Sequence, residues 1–170
     1  MESHLVELFR HNRWANLKLL DWCAGVDPAL LEIPAPGTFG RADQTLVHLT
    51  GAEERYIEYL TGEMMPDDQR LDFRAPFPGF EVLRPRLEAS GDRLIKLAAS
   101  TPFERVLRGK RLDGTPYALR ATTVLIQAIT HSCEHRAHVM TAISSHGVEA
   151  PELDGWLYGE EHFEVDAAGA

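Results

Sequence analysis

The feature that most constrains the fold of this chain is the residue spacing in segment 122–145. Steps of four and three residues separate a set of small apolar residues and histidines: Val124, Ala128, His131, His135, His138 and Ala142. Because an α-helix turns about 100° per residue, residues with this spacing lie on one face. The segment therefore predicts a long helix whose core-facing side carries three histidines.

Helical periodicity also marks three earlier segments of the chain, namely residues 3–24, 42–61 and 80–100. Gly25 and Gly62 follow the first two segments and predict helix ends. We place Pro85 in the first turn of the third helix, because proline is tolerated there. Four long helices around one core predict an all-α fold, a four-helix bundle that forms a single domain over residues 1–170.

A short β-hairpin is predicted between the third and fourth helices. Residues 105–121, RVLRGKRLDGTPYALRA, alternate in polarity on both sides of Asp113-Gly114, a pair typical of tight turns. Basic residues cluster in this segment of an otherwise acidic protein: Arg105, Arg108, Lys110, Arg111 and Arg120. They form either an anion-binding rim or a protection of the strand edges against pairing with other chains, and we favour the second interpretation.

The remaining segments predict two connections and a short terminal helix. Residues 26–40 hold three prolines and two glycines and are typical of a loop. Residues 62–79 form a longer proline-punctuated connection, and loops of this length are often functional. After Pro151, the sequence ELDGWLYGEEHF predicts a short C-terminal helix.

Composition limits the classes of partner and the cellular location. The net charge of −9 at pH 7 argues against nucleic-acid binding, which requires a dominant basic surface. No apolar run is long enough for a spanning helix or a signal peptide, and the two cysteines do not make a disulfide framework. We therefore expect a cytoplasmic protein with neither a membrane nor a nucleic acid as partner.

The three histidines of the fourth helix need partners if they are buried. Each unpartnered buried polar group costs on the order of 1–3 kcal/mol, a large part of a domain's stability. A divalent cation satisfies neutral imidazoles well, and two of them at positions i and i+4 chelate one ion. We favour metal binding by His131, His135 and His138 over a purely structural histidine cluster.

Further ligands have to come from another helix. His48 is the best candidate on the second helix, and the carboxylates of Glu53 and Glu54 are alternatives. Glu134 lies about 100° from its neighbours on the helix and should point away from the histidines. Cys133 is turned to the other side of the same helix, where we expect a buried structural thiol.

Four short motifs in this chain resemble the DinB/YfiT-like family of metal-binding four-helix bundles. His48 within TLVHLTGAEERYIEYL and the later HSCEHRAH resemble the family's histidine motifs. LFRHNRWANLKLL resembles its opening helix and PELDGWLYG its terminal segment, so that the resemblance extends over nearly the whole chain. It implies that His48, His131 and His135 bind one divalent metal ion, which is zinc, nickel or iron, with open positions for water or substrate.

The resemblance also implies an activity. Family members with known activity use a low-molecular-weight thiol such as bacillithiol or mycothiol, which predicts a metal-dependent enzyme that transfers a thiol to an electrophilic substrate, as a homodimer. The alternatives are a non-enzymatic, stress-related metal-binding bundle and a metal-dependent hydrolase. Where the family often reads His-Arg-Gly-Gln, this chain has His135-Arg136-Ala137-His138. His138 is then a fourth ligand, a hydrogen-bond partner of a ligand or a proton-transfer group; we place it beside the ligands and assign it the catalytic proton transfer.

Overall fold

The computed structural model of the protein describes residues 3–110 and 114–163. Its long helices are α1 (His4–Ala24), α3 (Ala42–Thr61), α4 (Phe80–Ser100) and α5 (Ala121–Ser144). The shorter elements are α2 (Pro28–Leu31), a 3-10 helix (Asp67–Gln69), β1 (Val106–Lys110), β2 (Pro116–Arg120) and α6 (Gly155–His162). These elements confirm the predicted helical bundle with a hairpin before the last long helix and a short C-terminal helix.

The long helices close a four-sided bundle. Helix α1 packs against α4 and α5, and α3 packs against the same two helices, so α1 and α3 lie diagonally opposite each other. Within the described residues, none of the helices combines the length and apolar character that crossing a bilayer requires.

The core consists of two apolar clusters, one toward each end of the bundle. One cluster contains Leu19, Leu46, Leu83 and Ile143, and the other contains Phe9, Leu60, Leu94 and Leu125. The residues at mid-height in each helix belong to neither cluster. Five of them are buried and polar, three neutral and two ionisable: Asn12, Asn16, Ser90, Glu53 and Arg136. We call these five residues the polar layer.

The hairpin packs one of its faces on the bundle. Strands β1 and β2 pair antiparallel, with Leu107 opposite Leu119, and both leucines contact the second apolar cluster. Gly114 has a φ of 83°, which glycine adopts readily in a tight turn. Asp113, the predicted first turn residue, and the basic Arg111 lie outside the described residues.

Three local predictions need correction. The segment 26–40 contains the single turn α2, and the connection 62–79 contains the 3-10 helix. Pro85 lies inside α4, beyond its first turn, and is exposed. Pro85 has no N–H for the carbonyl of Glu81, and both residues are exposed, so water can take the place of this donor.

Candidate metal centre

Three histidines from two helices converge on one point. The Nε2 atom of His131 lies 3.1 Å from Nε2 of His48 and 2.9 Å from Nε2 of His135. Two nitrogens that bind one ion at about 2.1 Å and at roughly 90–109° lie ~3.0–3.4 Å apart. The ring nitrogens are therefore spaced closely enough to bind one metal ion.

Hydrogen bonding between the rings cannot satisfy this arrangement. A neutral imidazole nitrogen either donates one proton or offers one lone pair. Nε2 of His131 faces two other ring nitrogens, and its Nδ1 is buried without a hydrogen-bond partner. An ion that accepts a lone pair from each Nε2 satisfies all three of these nitrogens together, which is the fit expected of a metal site.

The electrostatics of the cluster favour neutral, ligand-ready imidazoles. Burial and, to a smaller extent, the nearby His48 lower the pKa of His131 to about 4. Burial and the neighbouring histidines likewise lower the pKa of His135 to about 4. The pKa of His48 is also lowered, again by burial. At neutral pH the lone pairs are thus free for a cation.

Aromatic side chains from the two long connections cover the centre. Phe39 stacks on the ring of His48 at a centroid distance of 4.3 Å and meets His135 edge-on at 4.9 Å. Phe73 meets His48 edge-on at 5.3 Å and contacts Phe39 at 5.4 Å. Both phenylalanines limit the rotation of the His48 ring, so both connections contribute to the site.

His138 lies beside the centre and outside the converging group. Its Nδ1 is 3.4 Å from Nδ1 of His135, the ring atom turned away from the convergence point. A hydrogen bond at this atom orients a ligand ring and fixes its tautomer. The placement supports a positioning role, while the predicted proton transfer stays a prediction.

The carboxylates proposed as alternative ligands have other partners. Glu53 is buried, and its two oxygens accept hydrogen bonds from Asn12, Asn16 and Ser90 at 2.6–2.9 Å. Burial raises the pKa of Glu53 to about 7, against the opposing effect of these hydrogen bonds. Glu54 forms a two-pronged ion pair with Arg86, with both distances at 2.7 Å.

The polar layer is completed by Arg136, the residue after His135. Its Nη1 donates to the side-chain oxygens of Asn12 and Asn16 at 2.7 and 2.6 Å, so that the two asparagines connect Arg136 with Glu53. Every long helix contributes at least one residue to this network. The layer lies at the height of the histidines and ties together the two helices that carry them.

Two predictions about neighbouring residues have different outcomes. Glu134 is exposed and does not belong to the converging group, as its helical phase indicated. The prediction of a buried Cys133 is wrong, because the thiol is exposed and accepts a hydrogen bond from Arg136 at 3.1 Å. Helical phase placed Cys133 on the side opposite the histidines, but none of the described elements covers the thiol there.

A cavity of about 400 Å³ opens beside the histidines. His48 and His131 form part of its wall, and Tyr56, Gly51 and Leu71 form other parts. The third ligand-like residue, His135, does not line it. Phe73 also belongs to this wall, whereas Phe39 does not, so a small molecule can approach His48 and His131 from the cavity.

Sequence reasoning missed the phenylalanine cover and the polar layer. Phe39 and Phe73 lie in connections, where no periodicity indicates which side chain returns to the core. The polar layer did leave a signal, because Glu53 falls at a core position in the series Leu46, Leu49, Glu53, Ile57 and Leu60. A charge at such a position predicts a buried partner on a facing helix.

Comparison with protein families gives one match. The model described as "DinB family" matches residues 1–164. The searches of curated proteins and of solved structures found no match.

Proposed function

This chain belongs to the DinB family, and on that basis we propose that it is a metal-dependent enzyme that transfers a small thiol to an electrophilic substrate. His48, His131 and His135 are the proposed ligands, and zinc, nickel or iron is the proposed ion. The proposed partners are a bacillithiol- or mycothiol-like thiol and a small electrophile. A cytoplasmic homodimer without nucleic-acid or membrane partners completes the proposal.

One observation carries it, the convergence of three imidazole nitrogens at the wall of an open cavity. A purely structural site is closed by protein on all sides, whereas a catalytic site keeps positions for substrate. Here, Phe39 stacks on the ring of His48, and a cavity of about 400 Å³ opens at His48 and His131. This opening supports catalysis over a metal that only holds the bundle together.

A divalent ion at this site supplies Lewis-acid chemistry and lowers the pKa of a thiol. Three neutral ligands leave its double charge undiminished. The protein contributes orientation, since Phe39 and His138 hold the rings of His48 and His135. In the reaction, the sulfur forms a bond to the electrophilic carbon, the leaving group departs with its electron pair, and the thiol proton passes to solvent, for which His138 is the proposed relay.

Hydrolysis has less support from the surrounding residues. It requires an acid or base close to the ion to handle the protons of water. The oxygens of Glu53 are occupied by the polar layer, and those of Glu54 by Arg86.

Two measurements test the proposal. Protein purified without a tag should contain about one ion per chain by mass spectrometry, and it should catalyse the conjugation of bacillithiol or mycothiol with monochlorobimane. His135→Ala should lose both the ion and the rate enhancement while retaining its helical circular dichroism. His146→Ala is the matched control, since His146 is exposed and lies after α5. Undiminished conjugation by the His135→Ala protein would contradict the proposed mechanism.

A further inference from the structure

A second cavity continues from the histidine site toward the hairpin. Its volume is about 740 Å³, and it lies between α3, the hairpin and the first turns of α5. Arg55, Tyr56 and Tyr59 line both this cavity and the smaller one at the histidines. The two cavities therefore adjoin along α3, and we call the pair, from His131 to the hairpin, the cleft.

The walls of the larger cavity are mostly apolar and aromatic. Leu107 and Leu119 form the hairpin side, and Val124 belongs to α5. Tyr59 of α3 and Tyr117 of β2 meet edge-to-face across it, with a centroid distance of 6.4 Å. Such walls bind the apolar body of a small molecule, since ligand pockets combine apolar lining with few polar groups.

The described charged residues of this cavity are positive. Arg55 and Lys110 are the charged ones among them, and none of the described lining residues is Asp or Glu. Arg55 lies 3.6 Å from Glu58, but Glu58 is already bound by Arg70 at 2.9 Å. Arg70 also pairs with Asp67 at 3.0 Å, so these four groups balance in charge, but Arg55 is too far from Glu58 for a hydrogen bond and can still donate its N–H groups to a ligand. In a protein with a net charge of −9, this lining is complementary to an anion.

The first turn of α5 adds to the positive potential. Thr123 and Val124 of this turn line the cavity, and the turn holds no acidic residue. The residue before it, Arg120, forms no side-chain cap. The N-terminal end of a helix carries a partial positive charge, which no acidic side chain offsets here.

Only one of the described basic residues of the hairpin contributes to this lining. Lys110 lies in the cavity wall, whereas Arg105, Arg108 and Arg120 do not. Arg120 forms an ion pair with Glu104 and lies over the ring of Phe103. Of the basic residues that the sequence offered as an anion-binding rim, Lys110 is thus the described one that lines the cavity. The second basic residue of the lining is Arg55 on α3.

We propose that the cleft binds a small molecule with an apolar body and a terminal carboxylate. The carboxylate lies between Arg55 and Lys110, the body lies against Tyr59 and Tyr117, and the reacting end reaches His131. The position of the reacting end rests on the proposed function. The carboxylate subsite does not, and it is tested separately.

Isothermal titration of two matched probes tests the subsite. 5-Phenylpentanoate and 5-phenylpentan-1-ol share the same apolar body and differ in the terminal charge. The wild-type protein, loaded with zinc, should bind the carboxylate about tenfold more tightly than the alcohol, as expected for charge-assisted hydrogen bonds. Arg55→Gln combined with Lys110→Ser should bring the two affinities together and leave that of the alcohol unchanged.

Arg108→Ser is the matched control for Lys110→Ser. It removes the same charge from the same strand, but Arg108 lies outside the cavity wall. The preference for the carboxylate should persist in Arg108→Ser. It should also persist after zinc is removed by a chelator, because the carboxylate is held by side chains.

The outcomes separate this inference from the proposed function. Equal affinities in the wild type, no binding of either probe, or an equal loss in Arg108→Ser would each overturn it. Disappearance of the preference on zinc removal would also overturn it, because the carboxylate would then be a metal ligand. A retained preference in a protein without thiol transfer would support the subsite and reject the proposed reaction.

Discussion

At the scale of single residues, His131 has the central position in the histidine cluster. Its Nε2 is the atom that both other rings approach, at 3.1 and 2.9 Å, and its Nδ1 has no protein partner. His135 differs, because its Nδ1 lies next to His138. The two proposed ligands of α5 thus have different support, since a neighbouring ring holds His135 and packing holds His131.

Removal of His138 should weaken the site without abolishing it. The loss of a hydrogen-bond partner behind a ligand typically costs 10–100-fold in metal affinity. We expect His138→Ala to lower the zinc affinity by about that factor, and His131→Ala to eliminate stoichiometric binding. Competition with a chelating dye measures both. If His138→Ala loses zinc as completely as His131→Ala does, His138 is itself a ligand.

Acid should release the metal only well below the ordinary range of histidine. Protons compete with the ion for His131 and His135, and burial lowers the pKa of both to about 4 from 6.5. Zinc affinity should therefore stay nearly constant from about pH 8 to 6 and fall below roughly pH 5. Dye competition across this range measures it, and a midpoint near pH 6.5 would contradict the effect of burial.

The metal-free protein should lose stability in the same direction. The unfolded chain takes up protons on these histidines near pH 6.5, whereas the folded state does so only near pH 4. Because the unfolded state binds more protons in this window, the free energy of unfolding falls as the pH drops from 6.5 to 4. Urea titrations at pH 7.5 and 5 should show a smaller fall in a protein with both histidines replaced by alanine.

At the scale of elements, periodicity predicted the long helices but not their surroundings. The bounds of α1, α3, α4 and α5 follow from apolar spacing and from Gly25 and Gly62, since these signals are local. The exposure of Cys133 and the packing of Phe39 on His48 depend on which segment reaches a given face. Local spacing predicts on which side of a helix a residue lies. It does not predict which other segment of the chain packs against that side.

The two glycines that end helices should respond differently to substitution. Gly62 has a φ of 81° and donates its N–H to Glu58, whereas Gly25 has a φ of −95°. A side chain is strained only in the first conformation. Gly62→Ala should destabilise the protein by about 1 kcal/mol.

Gly25→Ala is the control, because Gly25 follows the end of α1 as Gly62 follows the end of α3. Its added Cβ would meet the Trp22 carbonyl at 3.5 Å, an ordinary contact. We expect it to be neutral or slightly stabilising, and Gly62→Asn to recover part of the loss. Urea denaturation of the three variants measures this difference. Equal losses at both glycines would show that the left-handed backbone at Gly62 is not the cause.

At the scale of the whole molecule, the polar layer joins the four long helices. Asn12 and Asn16 of α1, Glu53 of α3, Ser90 of α4 and Arg136 of α5 form a continuous hydrogen-bonded group between two apolar clusters. A core of this kind gains little stability from its charges, because desolvation offsets their attraction. Each member instead supplies the hydrogen-bond partner that another buried member requires.

Removing one member of the layer should cost more than its hydrogen bonds suggest. Glu53→Leu leaves Arg136 buried without a counter-charge, which typically costs 3–5 kcal/mol. At pH 8, where Glu53 is ionised, we expect about that loss in the free energy of unfolding. Arg136→Met combined with Glu53→Leu should be less destabilising than the sum of the two single changes. Strict additivity in this double-mutant cycle would mean that the two charges are independent.

The polar layer also fixes how the helices are aligned along the bundle axis. Leucine-rich faces repeat every seven residues, so that a helix shifted by one heptad still meets apolar partners. Such a shift moves α3 by about 10 Å. It would place Glu53 among leucines and carry His48 away from His131. The polar layer thus favours one axial alignment of the helices, and this alignment is the one that brings the three histidines together.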